Sequence, residues 1–94
     1  MHLIIGLGNP ATEYENTRHN AGFLILEKLA THYKFPDFKF DKKTNSLISK
    51  GEVSGKRTVL AMPQTYMNHS GIAVRALLDF YKVEVKDIIV IHDD

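Results

Sequence analysis

Two short apolar runs constrain the fold of this chain most. Residues 2–6 read HLIIG and residues 88–91 read IIVI. Successive side chains of a strand point to opposite faces of a sheet, so a strand that is apolar at consecutive positions is typical of one covered on both faces. Both runs therefore predict buried strands of a sheet that has helices packed on its faces.

Between these runs, two segments follow the helical period instead. The first begins near Asn20 and ends near Tyr33, shortly before Pro36, and the second covers residues 70–82. Apolar residues at this spacing predict amphipathic helices. The predicted inner face of the first helix comprises Gly22, Ile25, Leu26, Leu29 and Tyr33, and that of the second comprises Val74, Leu77, Leu78 and Tyr81.

A hairpin is predicted between the two helices. Residues 47–53 and 57–62 flank the tripeptide SGK, and Pro63 ends the second strand because proline lacks a backbone donor. The predicted order is β-α-β-β-α-β, which indicates an α/β fold with a mixed sheet. Residues 34–43 (KFPDFKFDKK) predict a loop or edge segment that buries Phe35 and Phe38 and keeps its lysines solvated. The same alternation suits RNA stacking, the less favoured alternative.

Composition limits the function classes. The 94 residues predict a single domain, residues 1–94, with one core, and the net charge of +1 does not by itself indicate a nucleic-acid binder. The absence of cysteine excludes a disulfide framework, a thiolate zinc site and a cysteine nucleophile. No apolar run approaches the length of a membrane span, and the amino terminus lacks the features of a signal peptide. A cytoplasmic location is expected.

Polar residues follow three of the predicted strands. Asn9 comes after the first strand, the segment QTYMNHS comes after the strand at 57–62, and His92, Asp93 and Asp94 come after the last. If these strands are parallel, the three groups meet at one edge of the sheet, where α/β proteins form their sites. The loop that carries His19 joins them. This convergence indicates a functional site.

Several chemistries fit these residues. A histidine whose far nitrogen bonds a carboxylate is a general base, so His19 beside Asp93 would activate a water molecule. Ser70 as the nucleophile of a Ser-His-Asp triad is less favoured, because it lies at a predicted helix start, where serine caps backbone donors. A metal site of His19, His92, Asp93 and Asp94 matches no closed zinc pattern. The segment GLGNPA fits a dinucleotide motif, but Pro10 and a polar loop precede the helix.

Three motifs together are specific. The chain contains GLGNP…Y…TRHNAGF, then P-x-T-Y-M-N-x-S-G, and then V-I-H-D-D, in that order. It resembles the bacterial peptidyl-tRNA hydrolase family over essentially its whole length. Members of that family are much longer, so the chain is expected to be the amino-terminal portion of a larger α/β hydrolase domain. The resemblance implies hydrolysis of the ester between a peptide and the terminal ribose of tRNA, which recycles tRNA.

The resemblance also implies roles for individual residues. His19 matches the catalytic base and Asp93 the residue that supports its basic form. Asn9 matches an asparagine that discriminates blocked from free aminoacyl ends. The remaining matches are substrate-binding Asn68, the tRNA-contacting aromatics Tyr14 and Tyr66, and Met67 in the wall of the peptide channel.

The same resemblance implies partners and departures. The expected partner is peptidyl-tRNA, with no cofactor, no metal and no membrane. The full-length family is expected to be monomeric, whereas the 94-residue chain is expected to self-associate. Ala11 stands where the family usually has glycine, and the basic residues for tRNA phosphate are expected beyond residue 94. A non-catalytic RNA-binding module and a metal-dependent hydrolase remain the alternatives.

Overall fold

A computed structural model describes residues 1–8, 21–64 and 70–91 of the chain. Five strands and two α-helices follow one another in these ranges. They are β1 (His2–Gly6), α1 (Ala21–His32), β2 (Lys39–Asp41), β3 (Ser46–Val53), β4 (Lys56–Pro63), α2 (Ser70–Tyr81) and β5 (Ile88–Ile91), and a 3₁₀ turn (Val85–Asp87) precedes β5. None of the described helices has the length and hydrophobicity needed to cross a bilayer.

The strands form one mixed sheet in the order β2-β3-β4-β1-β5. β1 lies between β4 and β5 and is parallel to both, with Leu3 opposite Val59 on one side and Ile88 on the other. β3 is antiparallel to β2 and to β4. The predicted mixed α/β sheet is therefore confirmed, and its three apolar parallel strands are neighbours.

Each face of the sheet has its own core. Leu3, Ile5, Val59 and Ala61 belong to a buried cluster that includes Leu77 of α2. Leu60 and Met62 alternate along β4 with Val59 and Ala61, and they pack with Leu26 and Ala30 of α1 on the other face. Because alternate residues of β4 enter different cores, the strand is buried from Thr58 to Pro63. The helices thus hold the central strands from both sides.

The sequence prediction missed one strand. Residues 39–41, predicted as part of a loop or edge segment, pair with β3 as an edge strand, with Lys39 opposite Ile48. The strand was missed because three residues are too few to show alternation. Phe35 and Phe38 pack partly buried against the α1 core, as predicted. The other boundaries agree within one residue, except that Pro63 is still in β4 and supplies no donor there.

The inner face of α1 was predicted only in part. Leu26 is fully buried, whereas Ile25 is 42% exposed and Tyr33 is 40% exposed. Gly22 is buried as predicted, and Ala30, which was not part of the predicted face, is buried as well, so the inner face of the helix is centred on smaller residues than predicted. Apolar periodicity alone could not locate this face, because α1 carries apolar side chains on more than one side.

β5 lies at the edge of the described sheet, and this corrects the prediction of a fully buried last strand. Ile89 is 54% exposed and Val90 is 39% exposed. Ile89 lies opposite Ile4 and Val90 opposite Ile5, which belong to different faces. Both faces of β5 are therefore apolar and partly uncovered.

Candidate functional site

One edge of the sheet receives the carboxyl ends of three adjacent strands. β4, β1 and β5 are parallel and end at Pro63, Gly6 and Ile91. The three strands that precede the polar groups therefore run parallel, which is the condition for those groups to follow the sheet at one edge. In open α/β sheets, ligands bind outside the carboxyl ends of the strands. We call this region the carboxyl edge.

The start of α1 is packed into the carboxyl edge. Beyond the end of β1, the N–H of Leu7 donates a hydrogen bond to the carbonyl oxygen of Ile91 at 2.8 Å. A Cβ added to Gly22 would collide with the carbonyl oxygen of Leu7, and it would lie 2.6 Å from that of Ile91 and 2.7 Å from the nitrogen of Leu7. Only a glycine allows α1 to approach this closely without moving the backbone.

A second glycine permits the same contact from the side of β1. A Cβ at Gly6 would lie 2.8 Å from Cδ1 of Leu26 and 2.9 Å from the carbonyl carbon of Gly22. Gly6 and Gly22 therefore face each other across the interface of β1 and α1. This pair brings the helix start, the end of β1 and the end of β5 to one point, which we call the glycine junction.

The end of β4 is held by a separate contact. The N–H of Gln64 donates to the carbonyl oxygen of Asn45 at 2.8 Å, and its side-chain Nε2 donates to the carbonyl oxygen of Met62 at 3.0 Å. Asn45 has a positive φ of 51°, a conformation that asparagine tolerates better than most residues. The turn before β3 thus anchors the chain immediately before residues 65–69.

The predicted site residues lie outside the described residues. Residues 9–20 carry Asn9, Tyr14 and His19, residues 65–69 carry Tyr66, Met67 and Asn68, and residues 92–94 carry Asp93. What the structure describes is the framework at both ends of these segments. Each segment begins within three residues of the carboxyl end of one of the three parallel strands.

Two further alternatives meet the same boundary. His92 and Asp94, named for a metal site, are also outside the described residues, and Ser70 is described only as the first residue of α2. Within residues 1–8, 21–64 and 70–91, no group of three or more histidine, aspartate or glutamate side chains is arranged to hold a metal ion.

Sequence reasoning did not identify the glycine junction. Gly22 was assigned to the apolar face of a helix and Gly6 to the end of the first strand. Neither assignment predicted a close contact between the two glycines. The available signal was the presence of glycine in the first turn of a predicted helix, where it is costly unless another backbone approaches.

The family comparison matches nearly the whole chain. The family model described as peptidyl-tRNA hydrolase matches residues 3–94. A peptidyl-tRNA hydrolase from Ehrlichia ruminantium strain Gardel is 48% identical over 94 residues, which cover 100% of this chain and 48% of that protein. The one from Lachnoclostridium phytofermentans is 52% identical over 95 residues and is likewise covered to 48%.

The fold comparison agrees. A crystal structure of peptidyl-tRNA hydrolase from Acinetobacter baumannii superposes with a TM-score of 0.90 and 41% sequence identity, covering 98% of this chain and 46% of that one. The chain thus spans about half the length of the curated relatives it matches.

Proposed function

Because this chain belongs to the peptidyl-tRNA hydrolase family, we propose that it supplies the catalytic and substrate-discriminating residues of a peptidyl-tRNA hydrolase. The reaction is hydrolysis of the ester that joins a peptide to the terminal ribose of tRNA. The observation that carries the proposal is the family match over residues 3–94, a range that includes every candidate site residue. The parallel strands that end at the carboxyl edge support it, because such edges are where α/β proteins bind ligands.

His19 is the proposed general base, and Asp93 orients it. His19 precedes Gly22 by three residues and Asp93 follows Ile91 by two. One residue of extended chain spans at most about 3.3–3.6 Å, so the packing of Gly22 against Ile91 tethers both residues close to the glycine junction. This tether supports a His19–Asp93 pair. The carboxylate would accept a hydrogen bond from one ring nitrogen and leave the other free to take a proton.

The proposed chemistry needs only water and these side chains. As water attacks the ester carbonyl carbon, the imidazole of His19 takes its proton and a tetrahedral oxyanion forms. Collapse of this intermediate breaks the bond to the ribose oxygen, which receives the proton from the imidazolium. The products are a tRNA with a free terminal hydroxyl and a peptide carboxylic acid, which releases its proton to solvent and becomes a carboxylate at neutral pH. No metal or other cofactor takes part in this scheme.

The remaining residues are proposed to bind the substrate. Asn9 offers a neutral amide that pairs with the peptide bond of a blocked substrate, and Asn68 holds the same end of the substrate. Tyr14 and Tyr66 present aromatic rings to the tRNA, and Met67 lines the channel for the peptide. Asn9 follows Leu7 by two residues, and Tyr66 follows Gln64 by two. Each is therefore close in sequence to an anchored point of the carboxyl edge.

The same proposal covers the setting of the enzyme. Peptidyl-tRNA is its partner in the cytoplasm, where hydrolysis returns tRNA to translation. Residues 1–94 are proposed to be the amino-terminal portion of a larger domain. Two observations support this: the curated relatives are about twice as long, and β5 has apolar side chains on both faces, with Ile89 54% exposed.

The function is tested by an ester-hydrolysis assay. The full-length protein is incubated with N-acetyl-aminoacyl-tRNA and with free aminoacyl-tRNA, and the released tRNA is separated on an acid gel. We expect turnover of the blocked substrate and little turnover of the free one. Loss of turnover after exhaustive chelation would instead indicate a metal-dependent hydrolase. RNA affinity without turnover would indicate a non-catalytic RNA-binding module.

A further inference from the structure

A cleft of about 450 Å³ opens on the α2 face of the sheet, between the β2–β3 hairpin and the end of α2. It is lined by the side chains Lys39, Lys43, Lys50, Phe80, Tyr81 and Asp41, and we call it the lysine–aromatic cleft. Lys39 and Lys50 both lie on the α2 face of the sheet. Lys39 pairs with Ile48, which belongs to the core on that face, and Lys50 lies two residues after Ile48 in β3 and therefore on the same face.

Lysine ammonium groups and aromatic rings alternate in this cleft. Nζ of Lys43 lies 5.8 Å from the ring centroid of Phe80, and Nζ of Lys50 lies 5.8 Å from that of Tyr81. The three lysines are exposed, and Phe80 is 45% exposed. Single-stranded nucleic acids are bound by this combination, in which cations contact the phosphates and a ring stacks on a base.

The carboxylates in the cleft do not cancel its positive charge. Two aspartates, Asp37 and Asp41, line the cleft together with its three lysines, so the net charge of the lining is +1. Asp41 is partly used within its own turn, where it accepts hydrogen bonds from the N–H of Lys43 at 3.2 Å and from Oγ1 of Thr44 at 2.9 Å. Its structural role is thus to hold the turn that presents Lys43.

The lysine–aromatic cleft begins at the same edge as the candidate active site. β2 and β4 both pair antiparallel with β3, so they run in the same direction and end at the same edge, at Asp41 and at Pro63. The hydrogen bond from the N–H of Gln64 to the carbonyl oxygen of Asn45 connects the turn between β2 and β3 to the end of β4. β2 and β1 are separated by three strand spacings, about 14 Å. A few unpaired nucleotides can cross that distance.

We propose that the lysine–aromatic cleft binds the unpaired 3′ segment of the tRNA, upstream of the nucleotide that carries the ester. Lys43 and Lys50 contact phosphates, and the ring of Phe80 stacks on a base. This inference rests on the proposed function, because it names a second contact for the same substrate. The favoured ligand is single-stranded RNA, because ammonium groups set beside an exposed ring match a strand in which phosphates alternate with bases. An acidic peptide is an outcome that the test distinguishes.

The test uses the 94-residue chain and two fluorescent RNA hairpins, one with an unpaired 3′ ACCA end and one blunt. Fluorescence anisotropy gives both affinities over a range of salt concentrations. We expect tighter binding of the hairpin with the unpaired end. Lys43→Ala with Lys50→Ala should abolish this preference and lower the log–log salt slope by about 1.4, since each phosphate contact to a single strand contributes about 0.7. Lys28→Ala with Lys56→Ala, which removes two exposed lysines that do not line the cleft, is the matched charge control and should leave the preference unchanged.

The aromatic contact is tested separately. Phe80→Ala should weaken binding of the unpaired end by about 5-fold or more, because stacking on one base contributes about 1–3 kcal/mol. Phe80→Tyr should restore it, and Tyr33→Ala, an exposed ring at the end of α1, should have no effect. A thermal midpoint equal to that of the wild type, measured by circular dichroism, shows that each variant is folded.

Several outcomes would overturn the inference. These are no detectable RNA binding, equal binding of both hairpins, an equal loss with Lys28→Ala and Lys56→Ala together, or displacement of the RNA by an acidic peptide with higher affinity. The fate of the proposed function is read separately, from hydrolysis by the full-length protein. If the full-length protein hydrolyses the ester and Lys43→Ala with Lys50→Ala leaves its KM unchanged, RNA binding at the cleft is refuted and the proposed function is supported. If RNA binds at the cleft and no ester is cleaved, the function fails and the cleft stands.

Discussion

The N–H of Leu7 donates a hydrogen bond of 2.8 Å to the carbonyl oxygen of Ile91, which ties the chain after β1 to the end of β5. Gly22 packs onto this bond from the start of α1. The described residues that flank both ends of the segment 9–20 and the start of the segment 92–94 therefore lie together. The relative positions of the proposed catalytic residues depend on this junction, because a displacement of about 1 Å can reduce a catalytic rate about 100-fold.

Gly22→Ala should destabilise the protein. The added methyl would meet backbone atoms of Leu7 and Ile91 at less than 3 Å, and backbone cannot move aside as a flexible side chain can. Overpacking of this kind costs typically about 1–3 kcal/mol. Urea denaturation followed by circular dichroism measures the loss in the free energy of unfolding.

A second glycine in a helix is the matched control. A Cβ at Gly71 in α2 would meet nothing within 4 Å, so Gly71→Ala should be neutral or should raise the free energy of unfolding by up to about 1 kcal/mol through helix propensity. If the Gly22→Ala and Gly71→Ala variants had the same free energy of unfolding, the backbone could not be packed as closely at Gly22 as the structure shows.

The sequence was sufficient to predict the elements that bury a regular pattern. Leu3 and Ile5 in β1 and Leu77 in α2 are fully buried, as the apolar runs predicted, and the three parallel strands end at one edge. It was insufficient for contacts that arise only after the elements pack. The place of Gly22 against Ile91 depends on the pairing of β1 with β5, which no local pattern contains.

For the candidate site, the sequence motifs identified the residues and the fold supplies their framework. Asn9, His19 and Asp93 were chosen from motif and position, and their roles remain predictions. The lysine–aromatic cleft was only partly foreseen. Residues 34–43 were noted for their lysines and aromatics, but Phe80 and Tyr81, about 40 residues away in sequence, form the other wall. Only the packing of α2 over the hairpin brings them together.

His19→Ala in the full-length protein should remove most of the turnover. General-base catalysis contributes typically about 10²–10⁴-fold, and binding of tRNA should stay nearly unchanged because no phosphate contact is lost. Asp93→Asn should cost less, since it misorients the base without removing it. Steady-state hydrolysis and filter binding measure both quantities. Turnover of His19→Ala within a few-fold of the wild type would refute the assignment, and an equal loss in both variants would give Asp93 a more direct role.

Asn9→Ala and Asn9→Asp should reduce discrimination between blocked and free aminoacyl ends. A site built to form a hydrogen bond to the substrate rejects a ligand that lacks the matching group, because buried polar groups are then left unpaired. The ratio of kcat/KM for N-acetyl-aminoacyl-tRNA and aminoacyl-tRNA is the measurement. A ratio that stays constant across these variants would leave Asn9 with a turn-forming role alone.

Tyr81 should titrate above the ordinary range for tyrosine. Burial raises the pKa of its hydroxyl above 10.0, and the nearby Asp41 carboxylate raises it further. Above pH 10 the folded state therefore keeps a proton on Tyr81 that the unfolded state loses. The contribution of Tyr81 to the free energy of unfolding is fully present below about pH 10 and is lost as the pH rises through the folded pKa. Absorbance titration at alkaline pH, with Tyr81→Phe to identify the signal, measures this pKa. Asp41→Asn should lower it, and no change would exclude the charge effect.

The edge strand β5 should make the 94-residue chain self-associate. β5 leaves one row of backbone groups without a neighbouring strand in the described sheet, and Ile89 and Val90 are 54% and 39% exposed on opposite faces. An apolar edge of this kind pairs with another copy, and a lysine on the edge prevents such pairing. Ile89→Lys should therefore shift the chain toward monomer in sedimentation velocity at all concentrations. Ile72→Lys, on α2 and 73% exposed, is the matched control and should leave the distribution unchanged.

The same sample decides whether residues 1–94 suffice for catalysis. We expect at most traces of peptidyl-tRNA hydrolysis, because β5, the strand that precedes Asp93, lies uncovered at the edge of the described sheet. An error of about 1 Å in a catalytic site costs about 100-fold in rate. The net charge of +1 also provides few phosphate contacts for tRNA. A monodisperse monomer that cleaves peptidyl-tRNA at the rate of the full-length protein would show that both expectations are wrong. Self-association that persists in Ile89→Lys would instead move the contact surface away from β5.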